Sequence, residues 1–327
     1  MGACVLEAYP LPGEYARLVE DVRRGRVRSS TECVLRALDA LAQALESGGA
    51  QLFARLAVEV ARARPTSALM VNAVRSLLEA AVSAAGGGLE EVRLAVRRRA
   101  QEMRGTLMQH VERAAGIAER RLESGDTVLT NTYSLFVKKT LLKAAERGKA
   151  LKVIVAESRP GGEGVELAVE LADAGVPTQL VVDSAVRYVM REVDKVLLAS
   201  EAIAANGANV SKVGSSLIAL AAHEARVRVF VVATSLKISP ETLVGELLEI
   251  PEADYPVDLP VEQPLRVRAP LFDVTPPRMI DAIVTEKGLV APEFVVMIAR
   301  EMYGWPPALA SIPELSEGFL RALGEGV

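Results

Sequence analysis

Apolar residues recur at helical spacing through the first third of the chain, at Leu69, Ala73, Leu77, Ala80 and Ala81, then at Val92, Ala95, Met103 and Leu107. No proline interrupts the stretch between Pro65 and Pro160. The pattern predicts an all-helical N-terminal domain over residues 1–124, with helices over about 13–24, 29–46, 50–62, 66–84 and 88–124 and a break at Gly86-Gly87-Gly88. After Gly125 the period changes. Short β-branched runs, TVLT at 127, VIVA at 153, TQLVV at 178, KVLLA at 195 and VRVFVVA at 227, alternate with segments 133–147, 163–174, 184–191 and 212–225. Those segments are long enough for crossover helices, so residues 125–327 are expected to form a doubly wound, mostly parallel α/β domain.

Seven prolines between Pro251 and Pro277 mark an extended excursion, after which a last helix is expected near 276–286. Within the excursion Leu259, Val261, Leu265, Val267 and Leu271 stand at mostly alternate positions, the pattern of an extended apolar segment seeking cover. With Ile218, Leu220 and Ala222 of KVGSSLIALAAHEA, it forms the expected surface of a homodimer; the alternative is that both elements cover the chain's own sheet.

Composition narrows the function. Half of the 327 residues are apolar but only 4% are aromatic, and the formal net charge is -4, which argues against direct nucleic-acid binding. Two cysteines, Cys4 and Cys33, and a start without a basic segment leading into an apolar one lead us to expect a cytoplasmic location. No run of 18 uncharged apolar residues suggests a membrane span. No metal and no resident cofactor is expected. His110 and His223 lie in different helical stretches without a nearby cysteine, and neither a GxxxxGK[ST] loop nor a complete dinucleotide fingerprint occurs.

Ligands of an open α/β sheet sit beyond the carboxyl ends of its strands, which directs attention to three loops. Glu157-Ser158-Arg159-Pro160-Gly161-Gly162-Glu163-Gly164 offers glycines, a helix start and the Arg159 fork, a set suited to a phosphate or, equally, to a tight turn with Arg159 paired to a carboxylate. In Asn206 to Ser216, Ser211 reads as an N-cap and Lys212 as a cation in the first helical turn, where it opposes the helix dipole unless an anion is bound. Thr130 to Ser134 places three hydroxyls and an amide after the first strand.

The segments ESRPGGEGVELAVEL, VVDSAVRYVMREVDKVLLASEAIAANGANVSKVGSSLIALAA and FDVTPPRMIDAIVTEKGLVAP resemble a superfamily. It unites the α, β and δ regulatory subunits of translation initiation factor 2B with isomerases of methylthioribose 1-phosphate and ribose 1,5-bisphosphate. The resemblance covers about 125–305 closely and reaches the helical part through Arg64-Pro65-Thr66-Ser67 and Asn72-Ala73-Val74-Arg75. It implies a Rossmann-like α/β domain behind a helical one, and a sugar-phosphate pocket drawing on Arg28, Arg64, Arg159, Gly162, Gly164, Ser211 and Lys212.

The isomerases of the superfamily carry a cysteine after the first strand and an aspartate after the fourth, which move a proton or hydride at the sugar carbons. Those positions fall on Thr132 and Glu201. A threonine hydroxyl supplies no thiolate, and a carboxylate displaced by more than ~1 Å can cost ~100-fold. Where the isomerases have Arg-Gly-Ala, Gln-Gly and Asn-Lys, this chain has Arg28-Ser29-Ser30, Glu163-Gly164 and Ser211-Lys212, and Glu163 brings a negative charge into the cradle.

The expected function is therefore a non-catalytic initiation factor 2B regulatory-subunit-like protein. Such a protein would be homodimeric and bind a partner such as the α subunit of initiation factor 2, together with a sugar phosphate or nucleotide. The alternative is a sugar-phosphate aldose–ketose isomerase of the ribose 1,5-bisphosphate or methylthioribose 1-phosphate type.

Overall fold

The computed structural model describes residues 9–27, 29–253 and 265–324. They group into two compact units, one made of the chain up to His110 together with Tyr303 onward, the other of Val111–Met302.

The first unit is helical, with α1 (Gly13–Arg23), α2 (Ser30–Ala63), α3 (Ala68–Ala84) and the start of α4 (Leu89–Glu119). Ser29 caps α2 by accepting the Glu32 amide, and Gly49, at φ 72° and ψ -165°, breaks α2 at the gap expected between 46 and 50. Leu38, Leu41, Leu45, Phe53, Leu69, Leu77 and Leu78 are fully buried. Residues 68–87 are long and apolar enough to cross a membrane, yet two-thirds of that stretch is buried within the protein, as in a core helix. The units do not divide at a single cut after 124. The C-terminal helix Ile312–Ala322, opened by a Ser311/Glu314 capping box, joins the helical unit through Phe319, whose ring meets Phe53 edge-on at 5.6 Å. Such a long-range pairing of apolar faces leaves no trace in local periodicity.

The second unit is built on a seven-stranded sheet. In chain order its elements are β1 (Thr127–Asn131), α5 (Leu135–Glu146), β2 (Lys152–Ala156), α6 (Glu163–Asp173), β3 (Thr178–Val181), α7 (Val186–Val189) and β4 (Lys195–Leu198). A small antiparallel sheet, β5 (Ala202–Ile203), β6 (Asn209–Lys212) and β8 (Phe272–Thr275), is entered next; α8 (Ser215–Ala225) and β7 (Arg228–Val232) lie between β6 and β8. The chain closes with β9 (Ala282–Thr285), β10 (Gly288–Val290) and α9 (Val295–Tyr303). The large sheet has the order β10-β9-β7-β4-β1-β2-β3 and is parallel except at β10. Its central strands are continuous buried runs such as Val153 to Ala156 and Val229 to Val232, because helices cover both faces.

Four expectations need correction. The helix expected near 276–286 is a single 3-10 turn, Pro277–Met279, followed by β9: the β-branched run Ile283-Val284-Thr285 pairs beside β7. The helix expected over 212–225 begins only at Ser215, since residues 209–212 are paired with β8. In the proline-rich stretch, Leu259 and Val261 lie outside the described residues; residues 265–269 have no regular structure and Leu265 is exposed. The surface assigned to Ile218, Leu220 and Ala222 is also rephased. Ile218 and Ala222 are buried in the unit's own core, and Leu217 and Leu220 face outward, as the 3.6-residue period requires.

Candidate functional site

From β1 the chain moves to β2 and β3 on one side, then returns to β4 on the other. The loops leaving β1 and β4 therefore diverge and open a crevice beyond their carboxyl ends. Thr132 stands at the end of β1 and Glu201 after β4, one on each side of this switch, and both are buried. The neighbouring strands add buried polar groups at the same end: Ser158 after β2, Ser200 after β4, Ser235 and Lys237 after β7, and Glu286 after β9. Buried polar groups are costly unless paired, so a row of them along one edge of an apolar sheet marks a site rather than a core.

The loops that leave β1 and β2 are strained and tied together. Thr132 has φ 54° and Ser158 φ 67°, left-handed values that residues other than glycine rarely adopt and that cost ~1–3 kcal/mol each. The Thr132 amide donates to Ser158 Oγ at 2.7 Å, while the Ser158 and Arg159 amides donate to the two oxygens of Asp183 at 2.8 and 2.7 Å. Asn131 Nδ2 donates to Ser215 Oγ at 3.0 Å, and Ser134 caps α5. Tyr133 turns away to donate to Glu170 at 2.9 Å beside Lys138; burial pushes its phenol above the ordinary value.

Two of the cations expected to hold an anion, Arg159 and Lys212, have carboxylates of their own. Arg159 Nε donates to Glu157 at 3.4 Å, and Lys212, buried to 6% exposure, donates to Glu163 Oε1 at 2.7 Å. Both cations are thus paired to carboxylates of one segment, 157–163, Arg159 to Glu157 and Lys212 to Glu163. Lys212 is the last residue of β6 and not a residue of the first helical turn, and Ser211 is buried in the same strand instead of capping a helix. The start of α8 is capped from a distance: Asp273 on β8 accepts from the Gly214 amide at 2.8 Å and the Ser216 amide at 3.1 Å. Burial pushes the Asp273 carboxyl up to about 6 against the pull of those amides.

Gly162 opens α6, and Gly164 lies so close to the end of β2 that a Cβ there would overlap the Ala156 carbonyl oxygen. Of the arginines assigned from the N-terminal part, Arg28 lies outside the described residues. Arg64 belongs to the helical unit, where it donates to Cys33 Sγ at 3.5 Å. Among the described residues no group of three or more His, Cys, Asp or Glu side chains is placed to hold a metal ion.

Sequence reasoning missed Lys237, Glu286 and Asp183. Lys237 Nζ is held on the Ser200 carbonyl and lies 5.6 Å from the Phe136 ring centroid. Glu286 accepts from the Ser235 amide at 3.1 Å and from its hydroxyl. The available signal was position: Thr234-Ser235-Leu236-Lys237 and Glu286-Lys287 each follow a buried strand directly.

The Initiation factor 2 subunit family model matches residues 26–292 of this chain. Ribose 1,5-bisphosphate isomerase of Pyrococcus furiosus is 33% identical over 320 residues, 93% of this chain and 97% of that protein. Its namesake from Archaeoglobus fulgidus is 37% identical over 299 residues, 89% and 94% of the two chains. Among solved structures, that of the Pyrococcus horikoshii translation initiation factor eIF-2B matches with a TM-score of 0.76 and 27% identity, covering 86% of this chain and 98% of that one.

Proposed function

The chain belongs to the Initiation factor 2 subunit family, and from that footing we propose that it is a sugar-phosphate aldose–ketose isomerase of the ribose 1,5-bisphosphate or methylthioribose 1-phosphate type. The observation that carries this reading is the buried Glu201 carboxylate at the switch point, beside a row of buried polar strand ends, in a chain collinear with ribose 1,5-bisphosphate isomerases over nearly its whole length.

The chemistry is set by the substrate. In an aldose 1-phosphate O1 is esterified, so opening the ring leaves no ordinary aldehyde. Instead the hydrogen on C2 passes to C1 with its electron pair as the C1–O4 bond breaks. O4 takes up a proton, and the O2 hydroxyl gives up its own to leave a ketone at C2; the atoms of the substrate are conserved. Glu201 is the base for the O2 proton and the buried Lys237 ammonium the acid for O4, while Thr132, at the end of β1, is the candidate hydroxyl donor to the substrate. Incubation of the purified protein with either substrate, followed by detection of the ketose product, tests the reading. Turnover at ~1–1000 per second supports it, and absence of ketose with both substrates defeats it.

A second reading, a non-catalytic regulatory-subunit-like protein that binds a partner such as the α subunit of initiation factor 2, is favoured by two features. Thr132 cannot supply a thiolate, and Arg159 and Lys212 are each already paired with a carboxylate. Under either reading the chain forms a homodimer through its α/β unit. Val165 and Val169 of α6 and Leu180 and Val182 at the edge strand β3 are exposed apolar residues that a second copy would cover.

A further inference from the structure

Lys212 is a buried cation at the end of β6, and its charge is met by Glu163, the first residue of α6. The pair is incomplete. Glu163 Oε1 accepts from Lys212, but Oε2 is buried with no hydrogen-bond partner. The carboxylate folds back over Gly161, where any Cβ would overlap it. The same loop pairs Arg159 with Glu157 and gives its Ser158 and Arg159 amides to Asp183. Each of the two cations therefore has its own carboxylate and Asp183 takes the two amides, so a phosphate dianion arriving here must compete with a carboxylate for every one of these donors.

We propose that Glu163 is a specificity-determining residue: as an internal anion on Lys212 it fills the place of a second phosphate, so the site prefers an aldose 1-phosphate with an uncharged far end to a bisphosphate. The inference rests on the sugar-phosphate reading above. A bisphosphate would have to push the Glu163 carboxylate off Lys212 and leave it desolvated beside a dianion, a like-charge contact that disfavours the wrong ligand. A hydroxyl at that end requires no displacement. The half-satisfied Oε2 keeps the pair from being fully stabilised, and a carboxylate-to-amide change there removes the charge while retaining the shape.

The test is isothermal titration calorimetry of the full chain with ribose 1-phosphate and ribose 1,5-bisphosphate, for the wild type, Glu163→Gln and Glu163→Asp, with melting curves to verify folding. The wild type is expected to bind the monophosphate at least ~10-fold more tightly. Glu163→Gln, which leaves Lys212 uncompensated, is expected to reverse the ratio by at least ~10-fold, and Glu163→Asp to keep the wild-type order. A wild type that prefers the bisphosphate ~10-fold, or a folded Glu163→Gln protein with an unchanged ratio, overturns the proposal. Failure of the sugar-phosphate reading looks different. Neither sugar then binds any protein, and inorganic phosphate becomes the probe: binding by Glu163→Gln but not by the wild type still supports the internal anion, and equal or absent phosphate binding refutes it.

Discussion

Gly164→Ala makes a test in which the sign of the effect decides. At an ordinary helical position near a helix start, replacing glycine by alanine stabilises a protein by ~0.4–1 kcal/mol, because alanine has less freedom to lose on folding. Gly164 is not an ordinary position. A Cβ there would overlap the Ala156 carbonyl oxygen and stand 3.0 Å from the carbonyl carbons of both Ala156 and Glu157. Non-bonded carbons settle at ~3.5–4.0 Å, so the start of α6 must withdraw from β2 by at least about 0.5 Å, and every atom in the way is backbone with no rotamer to change. Forcing extra volume into such a contact costs ~1–3 kcal/mol, and the Gly164 amide bond to the Glu157 carbonyl, 3.2 Å long, is worth ~1 kcal/mol more if broken. Set against the gain from alanine, the net effect is a loss of about 2 kcal/mol. For a unit of this size that lowers the melting temperature by ~4–8 °C. Urea and thermal unfolding of wild type and variant measure it; a variant as stable as the wild type, or more stable, would refute the close approach that positions Glu163 and the whole loop.

Other predictions follow from separate parts of the structure. Phe319→Ala removes a fully buried ring packed edge-on against Phe53 and should cost ~3–5 kcal/mol in the denaturant midpoint of the helical unit; a loss under ~1 kcal/mol would detach the C-terminal helix from that core. Asp273 has its folded value raised to about 6 from an ordinary 3.8, so the stability linked to its protonation is complete below ~3.8 and is lost as the pH rises through ~6. That loss is on the order of 2–3 kcal/mol, and Asp273→Asn should remove it, seen as a flatter urea midpoint between pH 4 and pH 7; identical slopes contradict the buried carboxyl. Leu180→Glu on the exposed edge strand should halve the mass read by light scattering from about 70 to the 34.9 kDa of one chain, whereas a wild type already at the lower mass removes the dimer.

Five of the six parallel strands are legible in the sequence because each is a short apolar run, as in VIVA and VRVFVVA, and most of them are buried on both faces; β9 is not, because its four residues follow Pro276-Pro277 inside a stretch that also fits a helix. Thr132 and Glu201, which the family resemblance singles out, stand beyond the ends of two such runs. Lys212 was misread because Asn209-Val210-Ser211-Lys212 joins a two-neighbour antiparallel sheet whose far strand, β8, lies some sixty residues on, and a local window cannot see that partner. The same distance hid Asp273 as the cap of α8 and the assignment of Phe319 to the N-terminal core. Lys237 and Glu286 escaped notice because a lone charge after a strand reads as a solvated loop until the structure shows it buried. For Arg159 the carboxylate-paired turn that the sequence also allows is the arrangement found, with Glu157, whereas the Lys212–Glu163 pair joins β6 to the start of α6 across 49 residues and has no local signature.

The most direct test of the isomerase reading is the rate of ketose formation from ribose 1,5-bisphosphate and from methylthioribose 1-phosphate by the wild type and by Glu201→Gln, which keeps the shape of the side chain and removes its basic oxygen. Catalysis by a positioned base is worth ~100- to 10,000-fold, so the account predicts measurable turnover of at least one substrate by the wild type and a loss of that order in a variant that still folds. No ketose from either substrate, or a Glu201→Gln protein as active as the wild type, would contradict it.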